Sequence, residues 1–304
     1  MSASGRLEKL EDFFPWSASA NLNGEFITCT DHGSMTCDFA FDSLLVRQLQ
    51  QPNPTVILAC LHKPRRHYDM ILRRGGLDAV SLEAEGRLHV VEAPLLQCLW
   101  GNNSRQGATC EDDAPTYALS PEEGVLVLRP APGNACGVNG SLQSLAPGTA
   151  LLTELKAILG QKVQVLQAGM SSPSLFIDDI DCFGLLAEST QAATEFLIEA
   201  KSHWCKAAGA ALTVVCGRTT PASSARGGTH DDSAARASGT GSLAEYCSYL
   251  ASISVTALPL RSGYSNDTHG LLHVSHKLLS RTLQFKLSDA AIKCGVVGDR
   301  ALVL

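Results

Sequence analysis

Apolar residues in this chain fall into two kinds of run. Phe26 to Thr30, Val56 to Leu61, Leu88 to Val91, Ser174 to Ile177 and Leu212 to Cys216 are short and mostly continuous. That is the pattern of strands buried on both faces of a parallel sheet. Between them, apolar residues recur at helical spacing. Met35 to Gln50 places Phe39, Phe41, Leu44, Leu45 and Leu49 largely on one side, and Pro52 and Pro54 end it. Arg65 to Arg74 reads as a helix closing at Gly75-Gly76, and Ala150 to Leu159 and Thr190 to Ala208 read as two more. Strand and helix alternating at these lengths predict a parallel sheet with crossover helices.

The ends of the chain read differently. Arg6 to Phe14 has Leu7, Leu10, Phe13 and Phe14 on one helical face, so it is expected to dock on a partner or on its own domain. Late in the chain a helix is expected at Leu243 to Leu250. Strands follow near Ile253 to Leu258, Leu271 to Ser275, Leu283 to Leu287 and Ala291 to Cys294. Their tight connections predict an antiparallel extension of the sheet. Two segments break the pattern. Residues 98–148 are rich in Gly, Pro, Asn and Asp around one apolar stretch, Val125 to Leu128, and read as a surface insertion. Residues 217–241 are Gly, Ser, Thr, Ala and Arg without an apolar anchor, and read as a flexible loop. The whole, 1–304, is read as one domain.

Composition narrows the class. The 304 residues are 45% hydrophobic and 18% charged, ordinary for a globular chain, and long enough to bury a sizeable core. The net charge of −6 supplies no global pull toward nucleic acid or an anionic membrane. The 11 cysteines are scattered and form no C-x-x-C pair. An odd count without a signal peptide predicts reduced thiols, in the cytoplasm or also the nucleus. No apolar run approaches the roughly 18 residues that span a bilayer, so no membrane partner is expected.

Candidate chemistry lies where strands end. In a doubly wound sheet the first strand-to-helix turn receives phosphate. A phosphate loop there needs glycines for backbone approach, a lysine for charge and a hydroxyl for magnesium. The segment Thr28 to Met35 occupies that place. Gly33 stands for the second glycine, but Thr28 replaces the first, Ser34 the lysine and Met35 the hydroxyl. ATP hydrolysis is therefore not expected. Leu175 to Asp179 resembles a Walker B strand, with Asp178 a candidate magnesium ligand and Asp178 and Asp179 otherwise ordinary capping acids. His269, His273 and His276 alternate badly for a shared metal on a strand, so no metal site is expected. Lys63, Arg65, Arg66 and His67 follow the second strand, and Arg218, Arg226 and Arg236 lie in the flexible loop. Such arginines grip nucleic-acid phosphates or simply keep a loop solvated.

Three stretches carry a family resemblance. They are His67-Tyr68-Asp69-Met70-Ile71 through Gly76 to Gly86-Arg87-Leu88-His89-Val90-Val91-Glu92; Leu175-Phe176-Ile177-Asp178-Asp179; and His269-Gly270-Leu271-Leu272 with Leu283-Gln284-Phe285-Lys286 and the tail Ala301 to Leu304. From about Phe26 to the C-terminus the chain resembles the sixth-subunit family of the Elongator complex. These are RecA-like accessory subunits without an intact Walker A motif. Residues 98–148 and 217–241 depart from that family's pattern. The resemblance implies an α/β, RecA-like fold: a mostly parallel twisted sheet flanked by helices, with antiparallel strands toward the C-terminus. It implies a heterohexameric ring with two sister RecA-like subunits, in a complex that places a carboxymethyl-type group on the wobble uridine of tRNA. The chemistry resides in another, catalytic, subcomplex. The ring binds tRNA, for which Arg218, Arg226 and Arg236 are the contact candidates here. Neither a catalytic role nor a cofactor is expected of this chain. The rival readings are a RecA-like mediator of DNA recombination and a nucleotide hydrolase with a degenerate loop.

Overall fold

Every residue of Phe26–Thr30 (β2), Val56–Cys60 (β3), Ser174–Asp178 (β7) and Ala211–Cys216 (β8) is buried, which the continuous apolar runs require of strands covered on both faces. The computed structural model describes residues 8–9, 24–32, 35–92, 117–122, 125–130, 156–157, 159–166, 173–182, 190–207, 209, 211–217, 243–260, 268–276, 279–287 and 292–296. The remaining strands are Glu8–Lys9 (β1), Leu88–Glu92 (β4), Tyr117–Glu122 (β5), Val125–Pro130 (β6), Ile253–Leu258 (β9), Gly270–His276 (β10), Leu279–Leu287 (β11) and Ile292–Val296 (β12). The helices are Asp38–Gln50 (α1), Arg65–Arg74 (α2), Ala79–Ala84 (α3), residues 159–166 (α4), Thr190–Glu199 (α5) and Leu243–Leu250 (α6). A π-helical segment, Ala200–Ala207, continues α5.

A ten-stranded sheet has the order β1-β12-β11-β10-β9-β2-β8-β7-β3-β4. Strands β4, β3, β7, β8, β2 and β9 run parallel to their neighbours. From β9 outward, β10, β11, β12 and β1 are antiparallel. The antiparallel extension read from the late turns is therefore present, and it starts one strand later than Ile253. Strand β9 alternates buried and half-buried residues although it pairs in parallel with β2.

Two cores flank the sheet. On one face α1, α2 and α3 bury Phe41, Leu45, Tyr68, Leu72 and Leu82 against Leu58, Cys60 and Phe176. On the other α4, α5 and α6 bury Val163, Phe196, Leu197 and Cys247 against Ala59, Ile177 and Val214. Adjacent residues of one strand feed opposite cores, as period-two geometry dictates.

Several expectations need correction. Glu8 and Lys9, inside the helix expected over Arg6 to Phe14, instead pair antiparallel with Cys294 and Lys293. The open edge of β12 offers unpaired backbone groups that an isolated short amphipathic helix cannot compete with. Helix α1 begins at Asp38, not Met35, because Met35 turns back to exchange backbone hydrogen bonds with His32 at 3.1 and 3.2 Å. Of the helix expected over Ala150 to Leu159, residues 150–155 and 158 lie outside the described residues; α4 is helical to residue 166, past Gly160, because burying Leu159 and Val163 outweighs the glycine's poor helix propensity. Within 98–148 the described residues form an antiparallel hairpin, β5 with β6.

Candidate functional site

The C-terminal ends of the parallel strands converge on one edge, the place where open α/β sheets bind ligands. Thr30 ends β2 and Cys60 ends β3 at this edge, beside Asp178 of β7 and Cys216 of β8. Backbone pairing ties the turns together. The Asp31 N–H donates to the Cys216 carbonyl at 3.1 Å, and the Ile180 N–H to the Val215 carbonyl at 2.9 Å.

Asp178 is the best anchored of these residues and has no solvent exposure. Its carbonyl accepts from the Leu61 and His62 N–H groups, the latter at 2.9 Å. Its Oδ2 accepts from the Lys63 N–H at 3.0 Å, and its Oδ1 faces the Lys63 ammonium at 3.6 Å. The same ammonium lies 2.7 Å from Asp38 Oδ1 at the start of α1. Burial alone would lower the Lys63 pKa, but Asp178, Asp38 and Asp42 outweigh it and hold the ammonium above its usual value. Burial, and then the charge of Asp178, hold the proton on Tyr68.

The phosphate-loop position is filled from within. Asp31 Oδ1 accepts from the Cys37 N–H at 2.6 Å, just ahead of α1. In nucleotide-binding folds of this kind that helix start offers its free N–H groups to phosphate. Here a carboxylate of the chain takes one of them. Met35 is half-buried and packs on the core, while Gly33 and Ser34 lie outside the described residues. Thr28 is fully buried in β2, its hydroxyl 3.1 Å from that of Thr30.

Further acids crowd the edge. Asp179 Oδ1 accepts from the Asp181 N–H at 3.0 Å. Burial, and next the charge of Asp181, push the Asp179 carboxyl well above the usual range. Burial also raises Asp181, to about 6, against the opposing hydrogen bonds of Cys216 and Gly217. Asp31 is raised by burial too. Four acids, Asp31, Asp178, Asp179 and Asp181, thus lie at this edge, and the Lys63 ammonium beside them is already paired.

The basic residues after β3 turn inward. Lys63 pairs as described, Arg65 lies 2.8 Å from Glu83 and 3.8 Å from Asp69, and His67 Nε2 lies 3.8 Å from Asp42. Of these four candidates for phosphate contact, Arg66 alone is exposed. Arg218, Arg226 and Arg236 lie outside the described residues. His269 Nδ1 accepts from the Leu287 N–H at 2.9 Å, and His273 Nδ1 lies 3.1 Å from the Thr282 hydroxyl, so both brace the β10–β11 pair. Among the described residues no three His, Cys, Asp or Glu side chains are grouped to hold a metal. No described helix is long and apolar enough to cross a membrane.

The triad Lys63–Asp38–Asp178 is what pattern reading missed. Lys63 belongs to a basic run, and its partners lie 25 residues earlier (Asp38) and 115 residues later (Asp178) in sequence. The pairing of β3 with β7 brings Asp178 beside Lys63, and Asp38 reaches the same ammonium from the start of α1.

No protein-family model matches the chain, and no curated protein matches it. Among solved structures it is similar to a KaiC-like protein of the hyperthermophilic archaeon Pyrococcus horikoshii. The TM-score is 0.50 and the identity 10%, covering 95% of this chain and 100% of that one. An uncharacterized protein of the same organism, solved with an unknown peptide, reaches a TM-score of 0.49 at 12% identity, covering 90% of this chain and 92% of that one. The first likeness agrees with the strand order: this is a RecA-like, KaiC-like fold.

Proposed function

We propose that this chain is a non-catalytic RecA-like subunit of the Elongator accessory ring. There it joins two sister subunits and supports wobble-uridine modification by binding tRNA. The carrying observation is the Asp31 carboxylate on the Cys37 N–H at 2.6 Å, which occupies the helix start where a nucleotide-hydrolysing relative receives phosphate. The Lys63 ammonium, held by Asp38 and Asp178, supports the same reading, because among the described residues the lysine at this edge is already neutralised.

The Elongator assignment rests on the sequence resemblance, and the fold is compatible with it. In the stretches that carry it, Tyr68 is a buried core residue, and Gly76 and Gly86 have φ of +76° and +69°, which non-glycine residues rarely adopt. A ring subunit of this sort would act in the cytoplasm, through interfaces that often exceed about 2,000 Å² in permanent assemblies.

The test is to purify the tagged chain from cells and identify what travels with it, then assay ATP turnover by the chain alone. Two sister RecA-like subunits and background turnover are the expected results. Turnover that Asp178→Ala abolishes would establish the hydrolase instead, and co-purification with DNA-recombination proteins would establish the recombination mediator.

A further inference from the structure

The α4–α5 layer, on the sheet face opposite α1, holds a groove of about 340 Å³ that the strand-end site does not use. Its floor is Phe196, 1% exposed, and its wall is the half-buried Trp204, whose ring lies 5.5 Å from that of Phe196 at 76°. Trp204 comes from the π-helical segment Ala200–Ala207. The π-helix is rare and is found disproportionately at functional sites. At one end the Lys156 ammonium stands 5.8 Å from the centre of the Phe196 ring, and among the described residues no carboxylate pairs with it. Gln164, Glu199 and His203 complete the polar rim.

We propose that this groove binds a nucleotide unit, with its base against Trp204 and its phosphate at Lys156. The volume falls at the small end of the range for ligand pockets and suits one nucleoside. An aromatic wall accepts any base by stacking, and the Lys156 ammonium supplies the phosphate contact. Gln164 and Glu199 offer acceptors for base amino groups, and Gln164 also offers a donor. Charge favours this face over the strand-end edge, which gathers the four acids Asp31, Asp178, Asp179 and Asp181, whereas the groove lining has one carboxylate, Glu199, beside the Lys156 ammonium. The proposal deepens the proposed function by locating an RNA contact. It rests on that reading only for the macromolecule that carries the nucleotide.

The test follows tryptophan fluorescence of the full chain during titration with a short single-stranded RNA of mixed sequence, and separately with AMP and UMP. The RNA should quench the emission. Trp204→Phe should remove most of that quench, and Trp204→Ala or Lys156→Gln should weaken binding about tenfold, the scale of one lost stacking contact. Quenching by the RNA alone identifies a strand as the source. Equal saturation by mononucleotides identifies a free nucleotide. Quench and affinity unchanged in both Trp204→Phe and Lys156→Gln would overturn the site. Trp204→Phe keeps an aromatic wall, so it remains informative if the alanine variant misfolds. Failure of this test leaves partner identification untouched, and the absence of sister subunits leaves the groove's affinity to be judged on its own.

Discussion

The Lys63 ammonium lies 3.6 Å from Oδ1 of Asp178, a carboxylate with no solvent exposure. Removing one member of a buried pair leaves the other charge uncompensated, which commonly costs about 3–5 kcal/mol. Lys63 keeps 18% exposure and is also shared with Asp38, so the lower part of that range applies. Lys63→Met should destabilise the protein by about 3 kcal/mol in urea unfolding. Adding Asp178→Asn should recover part of the loss, because the stranded charge is gone. Additive losses in the double variant would show that the two residues act independently.

Asp179 and Asp181 set a pH dependence with a definite sign. Both carboxyls are raised above the ordinary value of 3.8, Asp181 to about 6. A raised acid binds its proton more tightly in the folded state. The stability it contributes is fully present below the unfolded value and is lost as pH rises through the folded one. For Asp181 that window runs from 3.8 to about 6, and for Asp179 it starts at the same lower limit. These two groups should therefore make the protein less stable as pH rises across the window. Asp181→Asn should flatten the slope and stabilise the protein above it, as read by denaturant midpoints on both sides.

Gly270 sits where the sheet changes from parallel to antiparallel pairing. A Cβ there would stand 2.8 Å from the Leu258 carbonyl oxygen and 2.8 Å from Phe285 Cε1. The carbonyl belongs to a paired strand and cannot withdraw. Gly270→Ala should cost about 1–3 kcal/mol, the scale of overpacking in a close-packed core. A thermal midpoint equal to that of the native chain would show that β9 and β10 can part without penalty.

Much of this fold is written locally. Ile27, Leu58 and Val214 sit in short apolar runs because both faces of their strands are covered, so the runs alone mark the central sheet. The alternation of Leu272 and Val274 with half-buried neighbours marks β10 in the same way. The strand-end acid Asp178 was likewise readable from the apolar run before it. Pairing between distant residues was not. The contact of Asp31 with Cys37 depends on the turn through His32 and Met35, which propensity alone extends into helix. The Lys63 triad depends on which strands become neighbours. The Trp204 wall depends on a π-helical widening after Glu199 that a 3.6-residue period does not register.

The sheet is built to two standards of protection. Strands β2, β3, β7 and β8 have no residue facing solvent, whereas β9 and β10 are wetted at alternate positions. Local opening starts where few buried contacts hold the backbone hydrogen bonds. Backbone amides of the antiparallel half are therefore expected to exchange faster than those of the central strands. The two halves nevertheless share one core, since Leu272, Leu283 and Phe285 of the antiparallel strands pack in the same cluster as Phe41 and Phe176.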